Sequence, residues 1–82
     1  MSYEKVKQAK KTIIGIKQSV KAMKKGLVKE VYIALDVEER IIDLARSTAQ
    51  DNNVLIHYVK SKIDLGKACG LHLGASVVAL IV

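Results

Sequence analysis

Two stretches of this chain leave almost nothing for water: Val31-Tyr32-Ile33-Ala34-Leu35, and Ala75 to Val82, interrupted only by Ser76. Alternating apolar and polar residues mark a strand with one wet face, whereas an unbroken apolar run marks a strand buried on both faces. A sheet built on such strands needs helices above and below it. The rest of the sequence supplies them at the helical period, in segments of about ten residues.

Residues 3–11 set Tyr3, Val6 and Ala9 at helical spacing among Lys5, Lys7, Lys10 and Lys11, which predicts a first amphipathic helix. Thr12-Ile13-Ile14 is β-branched and long enough only for a brief edge strand. Gly15 and Gly26 bracket a short helix, with Gly26 as its left-handed cap. Val28 to Leu35 is the first buried strand. Asp36, Glu38 and Glu39 sit where a helix start favours acids, Asp36 being read as an N-cap, and Ile41, Ile42, Leu44, Ala45, Thr48 and Ala49 form that helix's inner face. Asp51-Asn52-Asn53 is a turn whose residues tolerate left-handed backbone, and Val54 to Val59 is another strand. Ser61 with Asp64 three places on makes a variant capping box, opening a helix that runs to Cys69 and closes at Gly70. Leu71-His72-Leu73-Gly74 follows as an exposed loop before the final strand. The expected architecture is α/β, a three-layer α/β/α sandwich with a mixed sheet of about four strands, formed by residues 1–82 as one domain.

On the glycine-bracketed helix, steps of about 100° per residue put Ile16, Val20, Met23 and Leu27 on one face and Lys17, Lys21, Lys24 and Lys25 on the other. Lys17 is unusual, because a cation in the first turn opposes the positive end of the helix dipole. A bound anion removes that conflict. Free N–H groups at the helix start, approachable past Gly15, together with Lys17 and Lys21 one turn apart, suit a phosphate or a base edge. A solvated lysine face fits the same residues, and the helix alone does not separate the two readings.

The formal charge of +6 is unevenly spread: residues 1–29 hold nine Lys against Glu4, residues 30–53 hold Arg40 and Arg46 against six acids, and residues 54–82 hold three Lys against Asp64. A basic end joined to an acidic middle is the footprint of a nucleic-acid binder. An anionic membrane is the rival partner, but a helix lying on a membrane carries Trp, Phe or Leu on its apolar side, and here that side is short and aliphatic. Ala75 to Val82 is too short to span a bilayer, and the N-terminus lacks the apolar core of a signal peptide, so a cytoplasmic protein is expected.

Residues for catalysis are sparse. His57 falls within a strand pattern, where a packed or edge histidine is the ordinary outcome, and His72 lies in a loop with no Cys, Ser or second His held near it by the sequence. Asp36 ends a buried strand, a position where α/β enzymes carry catalytic groups, but capping accounts for it with fewer assumptions. Cys69 is the only cysteine, so no intramolecular disulfide or cysteine-built metal site can form, and it is expected to pack as a small hydrophobe. With no P-loop, nucleophile elbow or metal-spaced cluster, neither catalysis nor a cofactor, metal or small-molecule substrate is expected. Leu71 and Leu73 have no evident core to enter. One can fold inward behind Gly70, or the pair can offer an apolar surface to an unstacked base or a protein partner.

Gly15-Ile16-Lys17-Gln18-Ser19-Val20-Lys21 followed by Lys25-Gly26, the strand ending Ala34-Leu35-Asp36, and Ser61-Lys62 through Leu65-Gly66-Lys67-Ala68-Cys69-Gly70 with Ala75-Ser76 beyond occur in order across the whole chain. In this the chain resembles the kink-turn RNA-binding family of ribosomal proteins, L-seven-Ae/L-thirty-e, above all its small bacterial YbxF-type members. The resemblance implies the same α/β/α sandwich and a non-enzymatic protein that stabilises RNA bent at tandem sheared G·A pairs, in ribosomal or structured regulatory RNA. It further implies that Gly15, Lys17, Gln18 and Lys21 enter the major groove and touch the G·A pairs, that Lys62 lies beside the same RNA, and that Leu71-His72-Leu73 packs over nucleotides of the three-base bulge. Lys10, Lys24 and Lys25 would neutralise the crowded phosphates. Archaeal and eukaryotic members usually carry Asn-Glu where this chain has Lys17-Gln18, which exchanges a carboxylate acceptor for an amide and adds a positive charge. Weaker base selectivity and a steeper salt dependence are expected. A monomer is expected. Two rival readings stay open: a protein-interaction module that docks through Leu71 and Leu73, and a general basic ribosome-associated protein without kink-turn selectivity.

Overall fold

The computed structural model of the chain describes residues 6–7 and 11–81. In these residues the order is β1 (Thr12–Ile14), α1 (Ile16–Lys24), β2 (Val28–Ala34), α2 (Glu39–Asp51), β3 (Leu55–Val59), α3 (Lys62–Ala68) and β4 (Val77–Ile81). Val6 and Lys7 have helical backbone. The remainder of the helix expected over residues 3–11, with Tyr3, Lys5, Ala9 and Lys10, lies outside the described residues, as does Val82. Lys11 is not helical; its carbonyl accepts from the Ile81 N–H at 3.3 Å, so it already approaches β1.

The strands form one mixed sheet in the order β1-β4-β2-β3. β2 and β3 are parallel, with Val31 opposite Ile56 and Ala34 opposite Val59, as a crossover through α2 allows. β4 is antiparallel to both its neighbours, pairing Val77 with Ile33 and Val78 with Ile14. β2 and β4 are the inner strands, which accounts for their unbroken apolar runs. Val31, Ile33, Val77 and Ala79 turn to one side, where they meet Ala22 and Met23 of α1 and Ile42, Ala45 and Ala49 of α2. Tyr32, Ala34, Val78 and Leu80 turn to the other, against Leu65 of α3 and Val6. Helices cover both faces, and the three layers read from the sequence are present.

The inner faces of the helices are narrower than their spacing indicated. Ser19, Ala22 and Met23 are the buried residues of α1, whereas Leu27, expected beside them, is 48 % exposed. The helix stops at Lys24 and the chain reverses through Gly26 at φ 75°, so Leu27 is off the helical period. Gly26 donates to the Met23 carbonyl and Leu27 to that of Ala22, both at 3.1 Å, the paired bonds of a Schellman cap. In α2, Leu44 is 49 % exposed, because Ile42, Ala45, Thr48 and Ala49 define the buried stripe and Leu44 lies about 100° round from its centre. Leu35, the end of the first apolar run, lies beyond β2 and is exposed, although its N–H still bonds to the Val59 carbonyl at 2.8 Å.

Asp36 does not cap the helix that follows it. The N-cap of α2 is Glu38, whose side chain makes no capping bond. Asp36 Oδ1 instead accepts from the Lys62 N–H at 2.9 Å, at the start of α3. Ser61 caps the same helix, accepting from the Asp64 N–H at 3.2 Å as the spacing indicated. After α3 the chain turns at Gly70 and runs back along the helix: Ala75 donates to the Lys62 carbonyl at 2.9 Å, and the Leu73 carbonyl oxygen lies where a Cβ on Gly66 would be only 2.0 Å away.

A polar cluster sits on the α3 side of the sheet. Glu30 is 6 % exposed, with Oε1 2.7 Å from His57 Nε2, and the His57 ring stacks on Tyr32 at a centroid separation of 4.6 Å. A carboxylate removed from water needs such a partner. His57 is a packed histidine on an edge strand, as its place in the pattern indicated.

Gly66→Ala tests the loop contact. In an open helix this change stabilises by about 1 kcal/mol, but a methyl group forced against a backbone oxygen costs about 1–3 kcal/mol or more. The clash should win, giving a net loss of up to about 2 kcal/mol or more in urea unfolding with the denaturant slope unchanged. A net gain would show that the loop yields freely.

Candidate nucleic-acid interface

β1, β2 and β3 end, and β4 begins, at one edge of the sheet, so their connections emerge side by side. Gly15 donates to the Val77 carbonyl at 2.9 Å and Ala34 to that of Ser76 at 2.9 Å, while Asp36 reaches across to the start of α3. This edge gathers residues from the length of the chain: Gly15, Lys17 and Gln18 at the start of α1, then Asp36, then Lys62 with the returning loop.

Gly15 has φ 102° and ψ 153°, a region essentially closed to residues with a side chain. It offers no side-chain cap to α1, and the first turn contains no acid. The Ser19 N–H makes a 3.0 Å bond to the Gly15 carbonyl, so the N–H groups of Ile16, Lys17 and Gln18 precede the helical ladder, at the positive end of the dipole. Lys17, Gln18 and Lys21 are exposed, whereas Ser19 between them is buried and donates to the Ile13 carbonyl at 3.4 Å. The inner face holds the helix and leaves the outer one uncommitted.

Lys17, Lys21 and Lys24 form one stripe along α1 at helical spacing. With a rise of about 1.5 Å per residue, Lys24 and Lys25 lie about 10 Å beyond Lys17, at the far end of the helix from the sheet edge. Of the residues singled out in the sequence, Lys10 lies outside the described residues and the other ten divide: Gly15, Lys17, Gln18, Lys62 and the Leu71–Leu73 segment belong to the edge region, Lys21 lies one turn below it, and Lys24 and Lys25 are remote. Among the described residues none of these lysines is in an ion pair, whereas Arg40 pairs with Glu38 at 3.0 Å and Arg46 with Asp43. The acids of α2 are partly neutralised locally, and the cations of α1 are not.

The two loop leucines separate. Leu71 is half-buried against the cluster that contains Leu65 and Tyr32, the inward contact expected of one of them, while His72 is exposed and Leu73 is 79 % exposed. Asp36 and Gly66 fix this region without having been marked as part of it: Asp36 holds the backbone of Lys62, and Gly66 seats Leu73. A glycine inside a helix was the available signal for Gly66. For Asp36 there was none, since its partner is distant in the chain. Burial pushes the Cys69 thiol up, which disfavours the thiolate and suits a packing role. Among the described residues no group of three or more His, Cys, Asp or Glu is placed to hold a metal ion, and no helix is long and apolar enough to cross a membrane.

An RNA-binding protein of Geobacillus sp. (strain WCH70) is 48 % identical over 81 residues, covering 99 % of this chain and 99 % of its own. RNA-binding protein YbxF of Geobacillus stearothermophilus is 44 % identical over 81 residues with the same coverage. Among solved structures, the Giardia lamblia 15.5kD RNA binding protein matches with a TM-score of 0.83 over 98 % of this chain and 70 % of its own, at 24 % identity, which establishes a shared fold. Residues 2–82 match the Ribosomal protein L7Ae/L30e/S12e/Gadd45 family, and the chain belongs to that family.

Proposed function

We propose that this protein binds RNA and stabilises a kink-turn, an internal loop bent at tandem sheared G·A pairs, in a ribosomal or structured regulatory RNA, and that it acts as a monomer without catalysing a reaction. The observation that carries this reading is the grouping at one sheet edge of an uncapped helix start, the exposed and unpaired Lys17 and Gln18 with Lys21 a turn below, Lys62, and an outward Leu73. Relatives that match end to end are named RNA-binding proteins, which supports the class of partner.

The major groove of regular A-form RNA is too narrow for side chains, so base edges are legible there only where the duplex is already distorted. α1 enters such a groove by its N-terminal end. Its free N–H groups and Lys17 meet guanine O6 and N7 or a phosphate, and Gln18 donates to or accepts from an exposed base edge. Lys21 follows one turn down, and Lys24 and Lys25 neutralise phosphates of a flanking stem. Leu73 covers an expelled base while Lys62 meets its phosphate. Binding the kinked state more tightly than the extended one shifts the population by the difference in affinity.

A kink-turn RNA labelled at both ends, titrated at low magnesium beside a control lacking the G·A pairs, tests this by fluorescence energy transfer. Selective closure of the intact RNA is the expected result. Equal binding to both without closure would reduce the protein to a general basic RNA binder, and binding to neither would leave the exposed leucine to a protein partner.

Lys21→Ala should weaken kink-turn binding about three- to tenfold and lower the salt slope by about one. It should leave the thermal midpoint within about 2 °C, since the side chain is exposed; a large fall in the midpoint would make Lys21 structural. Leu73→Ala should cut the preference for kinked over extended RNA about fivefold through lost apolar contact. Its salt slope should not change, because no charge is removed, and an unchanged preference would take Leu73 out of the site.

A further inference from the structure

We infer that Ile63, on α3, is a further RNA-contacting residue: with Leu73 it forms one apolar shelf across Gly74, bordered by the Lys62 side chain, on which an unpaired base of the RNA lies. The inference rests on the RNA-binding reading above and adds to it a residue on a different element.

Ile63 is the second residue of α3 and is 46 % exposed, because the buried side of this short helix is occupied by Leu65 and Gly66. Leu73 is still more exposed, and Gly74 lies between them. A Cβ on Gly74 would be 3.4 Å from Ile63 Cδ1, 3.0 Å from Lys62 Cγ and 3.4 Å from Lys62 Cδ. Gly74 has no positive φ to explain it. Its lack of a side chain lets Ile63 and the stem of Lys62 close directly onto the loop backbone, so the apolar surface continues from helix to loop.

The shelf is fixed before anything binds. The Leu73 carbonyl is seated against Gly66, and one residue past Gly74 the Ala75 N–H is bonded to the Lys62 carbonyl. Two large aliphatic side chains are therefore held outward by a backbone that cannot fold them in, which lowers the ordering cost of a ligand that uses them.

Charge decides which ligand that is. The Lys62 ammonium is in no ion pair among the described residues, and Lys60 is exposed two residues earlier. Of the nearby acids, Asp36 is bonded through Oδ1 to the Lys62 N–H and so fixes the helix start, and Asp64 sits in the first turn, where the dipole favours it. An apolar protein segment would cover the leucine and isoleucine but leave the ammonium without a counter-charge. A nucleotide has a flat face for the shelf and a phosphate for the lysine. Aliphatic side chains make no hydrogen bonds to base edges, so the shelf selects an unpaired position, not a base identity.

The test places 2-aminopurine at each unpaired position of the kink-turn in turn. Wild-type binding should change the fluorescence at one of them, and Ile63→Ala should remove most of that change and weaken binding about threefold, while end-to-end energy transfer still reports closure. Gly74→Ala, which crowds the flexible Lys62 stem and the tip of Ile63, should act in the same direction; both variants should stay folded, with a thermal midpoint within about 5 °C of wild type. An Ile63→Ala response equal to wild type at every unpaired position, with the wild type closing the RNA, would overturn the inference and assign the patch to a protein partner. Failure of the wild type to close the RNA would overturn the RNA-binding reading together with it.

Discussion

β2 and β4 offer water neither face, and the rest of the fold is arranged around satisfying that burial. Their side chains fill two separate cores, one under α1 and α2 and one under α3 and Val6, and the polar pair the sheet does carry, Glu30 with His57, is satisfied within it. The candidate interface lies at the edge where the strands stop. The crossover through α2 makes β3 parallel to β2 and brings their ends together, and the antiparallel β4 starts where they finish. Helix starts and a returning loop are what such an edge provides.

Features set by neighbouring residues were legible in the sequence, because their physics is local. Gly26 and Gly70 end their helices with the bonds expected of them, Ser61 caps α3, and Thr12–Ile14 is the short edge strand its length implied. What escaped were contacts between distant positions. The sequence offers Asp36 only the helix beside it as a partner to cap; the donor it finds, the Lys62 N–H, is 26 residues away. The Glu30–His57 pair spans two parallel strands, and nothing in either segment announces the other. An idealised period puts Leu27 and Leu44 inward, whereas a cap ends the first helix early and Ile42, Ala45, Thr48 and Ala49 fill the second helix's contact. For the candidate site, the basic face of α1 was readable from spacing alone. Its proximity to Lys62 and the loop came from the resemblance, and the remoteness of Lys24 and Lys25 from the edge needed coordinates.

Lys17 ties the electrostatics to the fold. Its charge lies against the positive end of α1, with no acid in the first turn and no side-chain cap to offset it. Such an arrangement costs a few tenths of a kcal/mol to about 1 kcal/mol in the free protein. The arginines of α2 find carboxylates within three residues of themselves, Glu38 and Asp43, whereas among the described residues the lysines of α1 find none. An anion brought to this helix start relieves an unfavourable term as well as adding a favourable one, and that difference is available only to the bound state.

Precision on the loop side is obtained in the opposite way, by removing side chains. Gly66 admits the Leu73 carbonyl where no Cβ fits, and Gly74 lets Lys62 and Ile63 close onto the backbone. These contacts fix the path of the main chain and leave the outward side chains with no structural duty. Residues 72 to 74 can therefore present a large apolar group to solvent at little cost in folding, because their backbone is ordered by α3 and not by burial of their own side chains. The consequence is a division of labour within a few residues: Leu71 belongs to the core, Gly74 to the geometry, and Leu73 is left free for a partner.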